Sequence, residues 1–203
     1  MKLWKLFLLV PAFALAACGD DDNDVETPEE ENEEELITSV TLTLAPMGGG
    51  ANVVVNASDD DGNGTIDTIE PLTLTAGTTY VMTIGLLNDL ETPAEDIGAE
   101  VADEDDEHQF FFLGMNVESE STGTVAGAIA TVSYGDMDDN GDPVGLVDTS
   151  VVANVAGTGD LRVILRHLPD LKESGLAGDV ATNGLSGLPG DSDIDVTFPL
   201  TVN

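Results

Sequence analysis

The stretch DIDVTFPLTV, residues 193–202, decides the fold class of this chain. Apolar side chains occupy every second position from Ile194 to Val202, and Asp193, Asp195, Thr197 and Thr201 lie between them. Successive side chains of a β-strand point to opposite faces, so this alternation predicts a strand with one buried and one solvated face.

The same alternation recurs through the chain, in SVTLTLAP at residues 39–46 and in TYVMTIGLL at residues 79–87. Clusters of Gly, Asp and Asn separate these runs from further candidate strands at 52–57, 71–75, 108–113, 125–134 and 160–168. The spacing predicts an all-β domain over residues 36–203, an antiparallel immunoglobulin-like β-sandwich of about seven or eight strands.

One short helix is expected to interrupt the strands. Thr92, Pro93 and Glu95 have the spacing of an N-cap, a first helical residue and the third residue of a capping box. The segment 169–192 is rich in Gly, Asp and Ser, which predicts a long surface loop before the last strand.

The first residues predict export and lipidation. Lys2 and Lys5 precede an apolar run, and the run ends at LAAC, residues 15–18, in the layout of a signal peptide over residues 1–17. Cys18 is the only cysteine, and its position resembles the lipidated cysteine of bacterial lipoproteins. Residues 18–35 then form the lipidated cysteine and an acidic tether, whose composition predicts disorder.

Charge excludes several classes of partner. After removal of Lys2 and Lys5 the formal charge is −37, two units below the −35 of the whole chain. Such a field repels nucleic acid and anionic lipids, so the lipid anchor is the only expected membrane contact. The expected location is the outer membrane, anchored by lipid at the cell surface, and the alternative is its periplasmic face.

An acidic stretch, DDDGNGTIDTIE at residues 59–70, matches the pattern of calcium-binding loops. The expected calcium ligands are Asp59, Asp61, Asn63, the Thr65 carbonyl, Asp67 and Glu70. Strands flank the stretch on both sides, which favours the alternative of a solvated acidic turn. A second and weaker candidate loop contains Asp136, Asp138, Asn140 and Asp142, with Val147 where the terminal glutamate would be.

Two histidines and two arginines complete the set of conspicuous residues. His108 and His167 can cap their strands, or they can bind a transition metal with Asp103, Asp105 or Asp106 if the two strands are neighbours. Arg162 and Arg166 share one strand face, and at least one of them is expected to pair with Asp193 or Asp195.

Several segments together resemble a family of small acidic Bacteroidetes-type lipoproteins: ELITSVTLTL, TPAEDI, DEHQFFF, YGDMDDNGDPVGL, LRVILRHLPDLK and DIDVTF. The resemblance implies no established activity, and the β-rich pattern argues against the type 1 periplasmic-binding label often given to such proteins. No catalytic motif is evident in the sequence. The expected function is therefore a non-enzymatic binding or structural module, with calcium as a potential ligand; the alternative is an accessory metal-capture lipoprotein serving a TonB-dependent receptor.

Overall fold

A computed structural model describes residues 35–203 of the chain. The predicted signal peptide, Cys18 and the tether up to residue 34 lie outside the described residues. The described part is mostly β, with eleven strands and two short helices. None of these helices has the length and apolar character needed to cross a membrane.

The strands and helices follow one another in this order: β1 Ser39–Pro46, β2 Val53–Ser58, β3 Thr68–Ile69, β4 Leu72–Leu74, β5 Thr79–Leu87, α1 Ile97–Asp103, β6 His108–Leu113, β7 Val117–Glu118, β8 Ala130–Ser133, β9 Thr149–Ala153, β10 Gly157–His167, α2 Leu176–Asn183 and β11 Asp191–Val202. A 3₁₀ turn, Leu185–Gly187, lies between α2 and β11.

The strands form two sheets. The larger has the order β3-β2-β1-β5-β9-β8-β7 and the smaller has the order β4-β11-β10-β6. Neighbouring strands are antiparallel except in two pairs, β4 with β11 and β7 with β8, which are parallel. The sequence therefore predicted the class and the mainly antiparallel pairing, but the number of strands exceeds the seven or eight expected.

One core lies against both sheets, an arrangement that fits a β-sandwich. Val40, Leu42 and Leu44 of β1 are buried, as are the alternate residues of β11 from Ile194 to Val202. Side chains of both strands belong to the same apolar cluster. Burial of apolar surface of this kind contributes about 25 cal/mol per Å².

All eight predicted strands are present, and three were missed, namely β3, β7 and β9. Two of the missed strands have only two residues, which is too short for an alternation to be recognised. The predicted helix begins later than expected: its N-cap is Asp96, whose side chain accepts a hydrogen bond from the Ala99 amide at 3.2 Å, and Thr92 lies outside the helix.

The prediction of a long surface loop at 169–192 was wrong, because α2 forms there and covers the outer face of the smaller sheet. A second apolar cluster joins the helix to β6 and β10; its buried members are Phe111, Ile164, Leu168, Leu176, Ala177 and Val180. Glycine at both ends of α2 obscured the helix in the sequence, since Gly175 is its N-cap and Gly184 its C-cap.

The predicted ion pair between β10 and β11 is confirmed. Arg162 Nε lies 2.6 Å from Asp195 Oδ1 on the outer face of the smaller sheet. Arg166 has a different role, because its guanidinium donates to the carbonyls of Leu188 at 3.1 Å and Pro189 at 2.6 Å and to the hydroxyl of Ser192 at 2.7 Å. Arg166 thus holds the segment that leads from α2 into β11.

Candidate metal centre

His108 and His167 are brought together by strand pairing. His108 begins β6, His167 ends β10, and the two residues are direct partners in the antiparallel register. Both are buried, and their imidazole rings stack with centroids 4.4 Å apart and an angle of 10° between planes. The sequence predicted a shared metal site only if the two strands are neighbours, and β6 and β10 are neighbours.

Glu35 supplies a carboxylate that faces both rings. Its Oε1 lies 3.2 Å from His108 Nε2, and its Oε2 lies 4.0 Å from His167 Nδ1. The side chain is only 8% exposed, although the sequence placed residue 35 in a disordered tether. Glu35 therefore belongs to the folded domain, and the boundary of the compact unit lies before it, at Glu34.

A β-bulge adds a second carboxylate. Leu165 pairs with Ile194 and Arg166 pairs with Ser192, so Asp193 is an extra residue in β11. Bulges re-aim side chains and often occur next to functional sites. The simple alternation placed Asp193 on the solvated face with Asp195; this was wrong, because both Asp193 carboxylate oxygens are buried.

The environment of Asp193 raises its pKa to about 6. Burial is the main cause and the negative charge of Glu35 adds to it, while His108 and His167 act in the opposite direction. These influences show that Asp193 senses the charges of the same cluster. For Glu35, burial raises the pKa, but the contact with His108 outweighs it and the pKa is lowered.

Interactions outside the pair orient His108. Its Nδ1 lies 3.1 Å from the Glu104 carbonyl oxygen, which only an Nδ1–H donor can satisfy, so in the neutral ring Nε2 has the free lone pair. Burial lowers the pKa of His108, but Glu35 and the Glu104 carbonyl outweigh burial and the pKa is raised. Two half-exposed carboxylates complete the surroundings, with Glu104 Oε2 at 4.0 Å from His108 Nδ1 and Glu107 Oε2 at 3.6 Å from His167 Nε2.

Unpartnered polar atoms concentrate at this place. Five buried atoms make no hydrogen bond of good geometry within residues 35–203: His108 Nε2, His167 Nε2, Glu35 Oε2 and the two carboxylate oxygens of Asp193. Of these, His108 Nε2 lies 3.2 Å from Glu35 Oε1 and His167 Nε2 lies 3.6 Å from Glu107 Oε2. A buried polar atom without a partner costs about 1–3 kcal/mol. Every one of these atoms is a potential metal ligand, so a bound cation would satisfy groups that the fold leaves unsatisfied.

The cluster brings ligand atoms together, but one imidazole ring must turn before both histidines can bind one ion. One potential ligand atom from each of Glu35, Glu104, His108 and His167 lies within 4.8 Å of the others. An ion bound by an imidazole lies in the plane of its ring, and two parallel rings share no such point. Ligation by both histidines therefore requires one ring to turn out of the stack. The acidic partners are Glu35 and Glu104, and the predicted Asp103, Asp105 and Asp106 do not belong to this group.

The first acidic loop is built around Asp59, which is 1% exposed. One of its oxygens accepts hydrogen bonds from the amides of Asp61, Gly62 and Asn63, and the other accepts one from Gly64 at 2.7 Å. These donors outweigh the effect of burial and lower the pKa of Asp59. Gly64 has φ +80°, a left-handed conformation that favours glycine.

Only part of the predicted calcium ligand set converges. Asp59, Asp61 and Asp67 place one oxygen each within 4.8 Å of one another. Asn63 uses its side-chain oxygen to accept from the Thr65 amide at 2.9 Å. Glu70 turns away to β2, where its carboxylate accepts from the Asn56 amide at 2.9 Å, so the loop lacks the bidentate ligand that the sequence assigned to it.

In the second acidic loop, a carboxylate is already paired with a lysine side chain of the protein. Asp138 Oδ2 lies 3.0 Å from Lys172 Nζ, and both side chains are buried, at 1% and 2% exposure. The other Asp138 oxygen accepts from the amides of Asn140 and Asp142, while Asp136 accepts from Gly145, Leu146 and Val147. The acidic side chains that were proposed as calcium ligands here serve the loop itself.

Sequence reasoning missed the residues that complete the histidine cluster. Glu35 was hidden at the end of an acidic run, and Asp193 was hidden by a bulge that no local pattern reveals. The signal available was the pair of histidines at the facing ends of two predicted strands. Comparison of the chain with protein-family models, with curated proteins and with solved structures gave no match.

Proposed function

We propose that this chain is a lipid-anchored lipoprotein of the cell envelope whose domain binds one divalent transition-metal ion without catalysing a reaction. The proposed ligands are Glu35, Glu104, His108 and His167, whose ligand atoms converge, and the buried Asp193 carboxylate adds negative charge near them. The domain is proposed to be an immunoglobulin-like sandwich, and the small acidic Bacteroidetes-type lipoproteins are its proposed family.

One observation supports the proposal above the others: two buried histidines in direct register share one cluster with the buried carboxylate of Glu35, and within residues 35–203 His167 Nε2 and Glu35 Oε2 lack hydrogen-bond partners. Mixed imidazole and carboxylate ligands suit zinc, iron, nickel or copper, whereas calcium and magnesium prefer oxygen alone. Four such ligands match the tetrahedral coordination of zinc, which makes Zn²⁺ the appropriate probe.

The cellular setting rests on the residues before the domain. A lipid on Cys18 and an acidic tether would hold the metal-binding domain at the outer membrane, where a TonB-dependent receptor is the proposed recipient of the ion. Protease treatment of intact cells distinguishes the two sides of the membrane: digestion of the domain supports exposure at the cell surface, and protection supports the periplasmic face.

A second candidate function is a binding or structural module stabilised by calcium at the first acidic loop. The observation in its favour is the convergence of Asp59, Asp61 and Asp67. The two candidates differ in chemistry, because the first requires imidazole nitrogen and the second uses only oxygen ligands.

Isothermal titration calorimetry of the mature chain with Cys18→Ser, after treatment with a chelator, tests the first proposal. We expect one Zn²⁺ per chain, and a loss of affinity of at least about 100-fold in His108→Ala and in His167→Ala, since each removes a direct ligand. Glu173→Gln, at an exposed position outside the cluster, is the matched control and should bind as the wild type does.

Circular dichroism and urea unfolding of each variant verify that the two alanine proteins fold. The proposal is wrong if the wild type shows no saturable binding, or if folded His108→Ala and His167→Ala both bind zinc with unchanged affinity.

A further inference from the structure

The first four described residues, 35–38, form an irregular entry segment that leads into β1. Thr38 fixes its far end: the Thr38 amide donates to the Leu87 carbonyl at 2.9 Å, and the Thr38 hydroxyl accepts from the Asp89 amide at 2.8 Å. Within the described chain, Leu36 and Ile37 make no comparable backbone hydrogen bonds, and Leu36 is 43% exposed. Ile37 anchors the segment through its side chain, which is buried in the core, and Glu35, the residue before Leu36, is held by its own side chain.

Glu35 and the other proposed ligands belong to different parts of the fold. The entry segment continues into β1, which lies in the seven-stranded sheet, whereas His108 and His167 lie on β6 and β10 of the four-stranded sheet. An ion bound to Glu35 and to both histidines would therefore link the entry segment to the opposite sheet.

Without an ion, Glu35 is held incompletely. One carboxylate oxygen contacts His108 Nε2 at 3.2 Å, and the other has no hydrogen-bond partner. A divalent cation would attract the free oxygen and add a direct bond to Glu35.

We infer that metal binding fastens the entry segment to the histidine pair, so that loading of the site orders the part of the domain nearest the membrane tether. The inference rests on the proposed metal-binding function, and it assigns to Glu35 the role of the ligand that transmits the loaded state. A metal-capture protein with this coupling would present a different tether junction to its partner with and without cargo.

Hydrogen exchange of the mature chain with Cys18→Ser, read by mass spectrometry with and without Zn²⁺, tests the inference. At a zinc concentration about 100 times the dissociation constant, exchange of the Thr38 amide, which donates to the Leu87 carbonyl, should slow about 100-fold, because opening of the entry segment then requires release of the ion. Residues 48–50, in the turn after β1, serve as the internal reference and should not change.

Glu35→Gln separates the ligand from the rest of the site. We expect this variant to bind zinc more weakly and, at saturation, to show no slowing at the Thr38 amide; undetectable binding by this variant would equally support Glu35 as a direct ligand. Two results overturn the inference while the proposed function stands: wild type that binds zinc by calorimetry with unchanged exchange at the Thr38 amide, or saturated Glu35→Gln with the same slowing as wild type. Failure of the wild type to bind zinc overturns both.

Discussion

Asp193 and His108 have raised pKa values at the same end of the core, and both therefore bind protons more tightly in the folded domain than in the unfolded chain. Burial and the charge of Glu35 raise the pKa of Asp193 by more than the two histidines lower it. Burial lowers the pKa of His108, but the Glu35 carboxylate and the Glu104 carbonyl raise it by more. A group with a raised folded pKa contributes stability below its unfolded pKa and loses it as the pH rises through the folded value.

The metal-free domain should consequently lose stability as the pH rises from about 5 to about 8. Asp193 loses its contribution between its unfolded value near 3.8 and its folded value of about 6, and His108 loses its contribution above 6.5. The lowered pKa of Glu35 acts only at pH values below about 4.5, outside this interval. Urea unfolding at several pH values, in the presence of a chelator, measures the trend.

Asp193→Asn is the control for this pH profile. It removes the ionisation of Asp193 and should reduce the decline by about 1–2 kcal/mol, after allowance for partial solvent screening. A profile that is flat or rising between pH 5 and 8 in the wild type would contradict the arrangement of charges described for this cluster.

Lys172 and Asp138 form a buried ion pair, in contrast to the exposed pair of Arg162 and Asp195. Lys172→Met keeps most of the apolar stem but leaves the Asp138 carboxylate buried without its cation. We expect a loss of about 3–5 kcal/mol in the free energy of unfolding, because an uncompensated buried charge is costly. Arg162→Ala, at the exposed pair, should cost less than about 1 kcal/mol.

Urea denaturation of both variants at pH 7 and fixed ionic strength provides the comparison. Equal losses in the two proteins would mean that the Lys172 pair is as well solvated as the surface pair.

At the scale of the elements, α2 and the bulge in β11 determine what the smaller sheet can do. The helix covers the outer face of β6 and β10 through Leu176, Ala177 and Val180, which leaves these strands buried on both faces. The bulge makes Asp193 an extra residue of β11, and its carboxylate is buried. Pairing of β6 with β10 positions the two histidines, and α2 packs on the opposite face of these strands.

The packing of α2 can be tested by truncation of Leu176, which is 3% exposed. Leu176→Ala should lower the free energy of unfolding by about 2–4 kcal/mol, since it removes transfer energy and leaves a cavity against Phe111 and Ile164. Leu171→Ala is the matched control at a position that is 46% exposed, and it should cost less than about 0.5 kcal/mol. If chemical unfolding gives the same small loss of unfolding free energy for Leu176→Ala as for Leu171→Ala, the helix does not pack on the sheet.

At the scale of the whole molecule, the charge is distributed very unevenly. The three basic residues of the described chain are all engaged in internal contacts, Arg162 with Asp195, Arg166 with the carbonyls before β11, and Lys172 with Asp138. The remaining surface is strongly anionic and attracts cations without specificity. A specific calcium effect must therefore be distinguished from general screening at constant ionic strength.

Scanning calorimetry with 10 mM Ca²⁺, at an ionic strength held constant with NaCl, makes that distinction for the first acidic loop. With a dissociation constant of about 1 mM, the oxygen ligands of Asp59, Asp61 and Asp67 should add about 1.4 kcal/mol and raise the melting temperature by a few degrees. Asp61→Ala should abolish the increase. The loop is an ordinary acidic turn if calcium leaves the melting temperature of both proteins unchanged.

The sequence alone determined the β class, eight of the eleven strands in residues 35–203 and the main buried face of β1, β5 and β11, because alternation with a period of two is a local property. It also predicted the Arg162–Asp195 pair and the condition under which His108 and His167 would meet. Only the tertiary structure decided that β6 and β10 are neighbours in the register that stacks the two rings. That register follows from long-range hydrogen bonding, which no single segment encodes.

The other members of the candidate site depended on the tertiary structure in the same way. Glu35 resembles the acidic residues before it, and it differs only because the path into β1 brings it to the histidines. Asp193 follows the alternation of its strand until a bulge opposite Leu165 and Arg166 reverses its direction. Composition and periodicity specify which residues prefer burial, whereas the meeting of distant side chains is fixed by how two sheets and an irregular segment pack around one core.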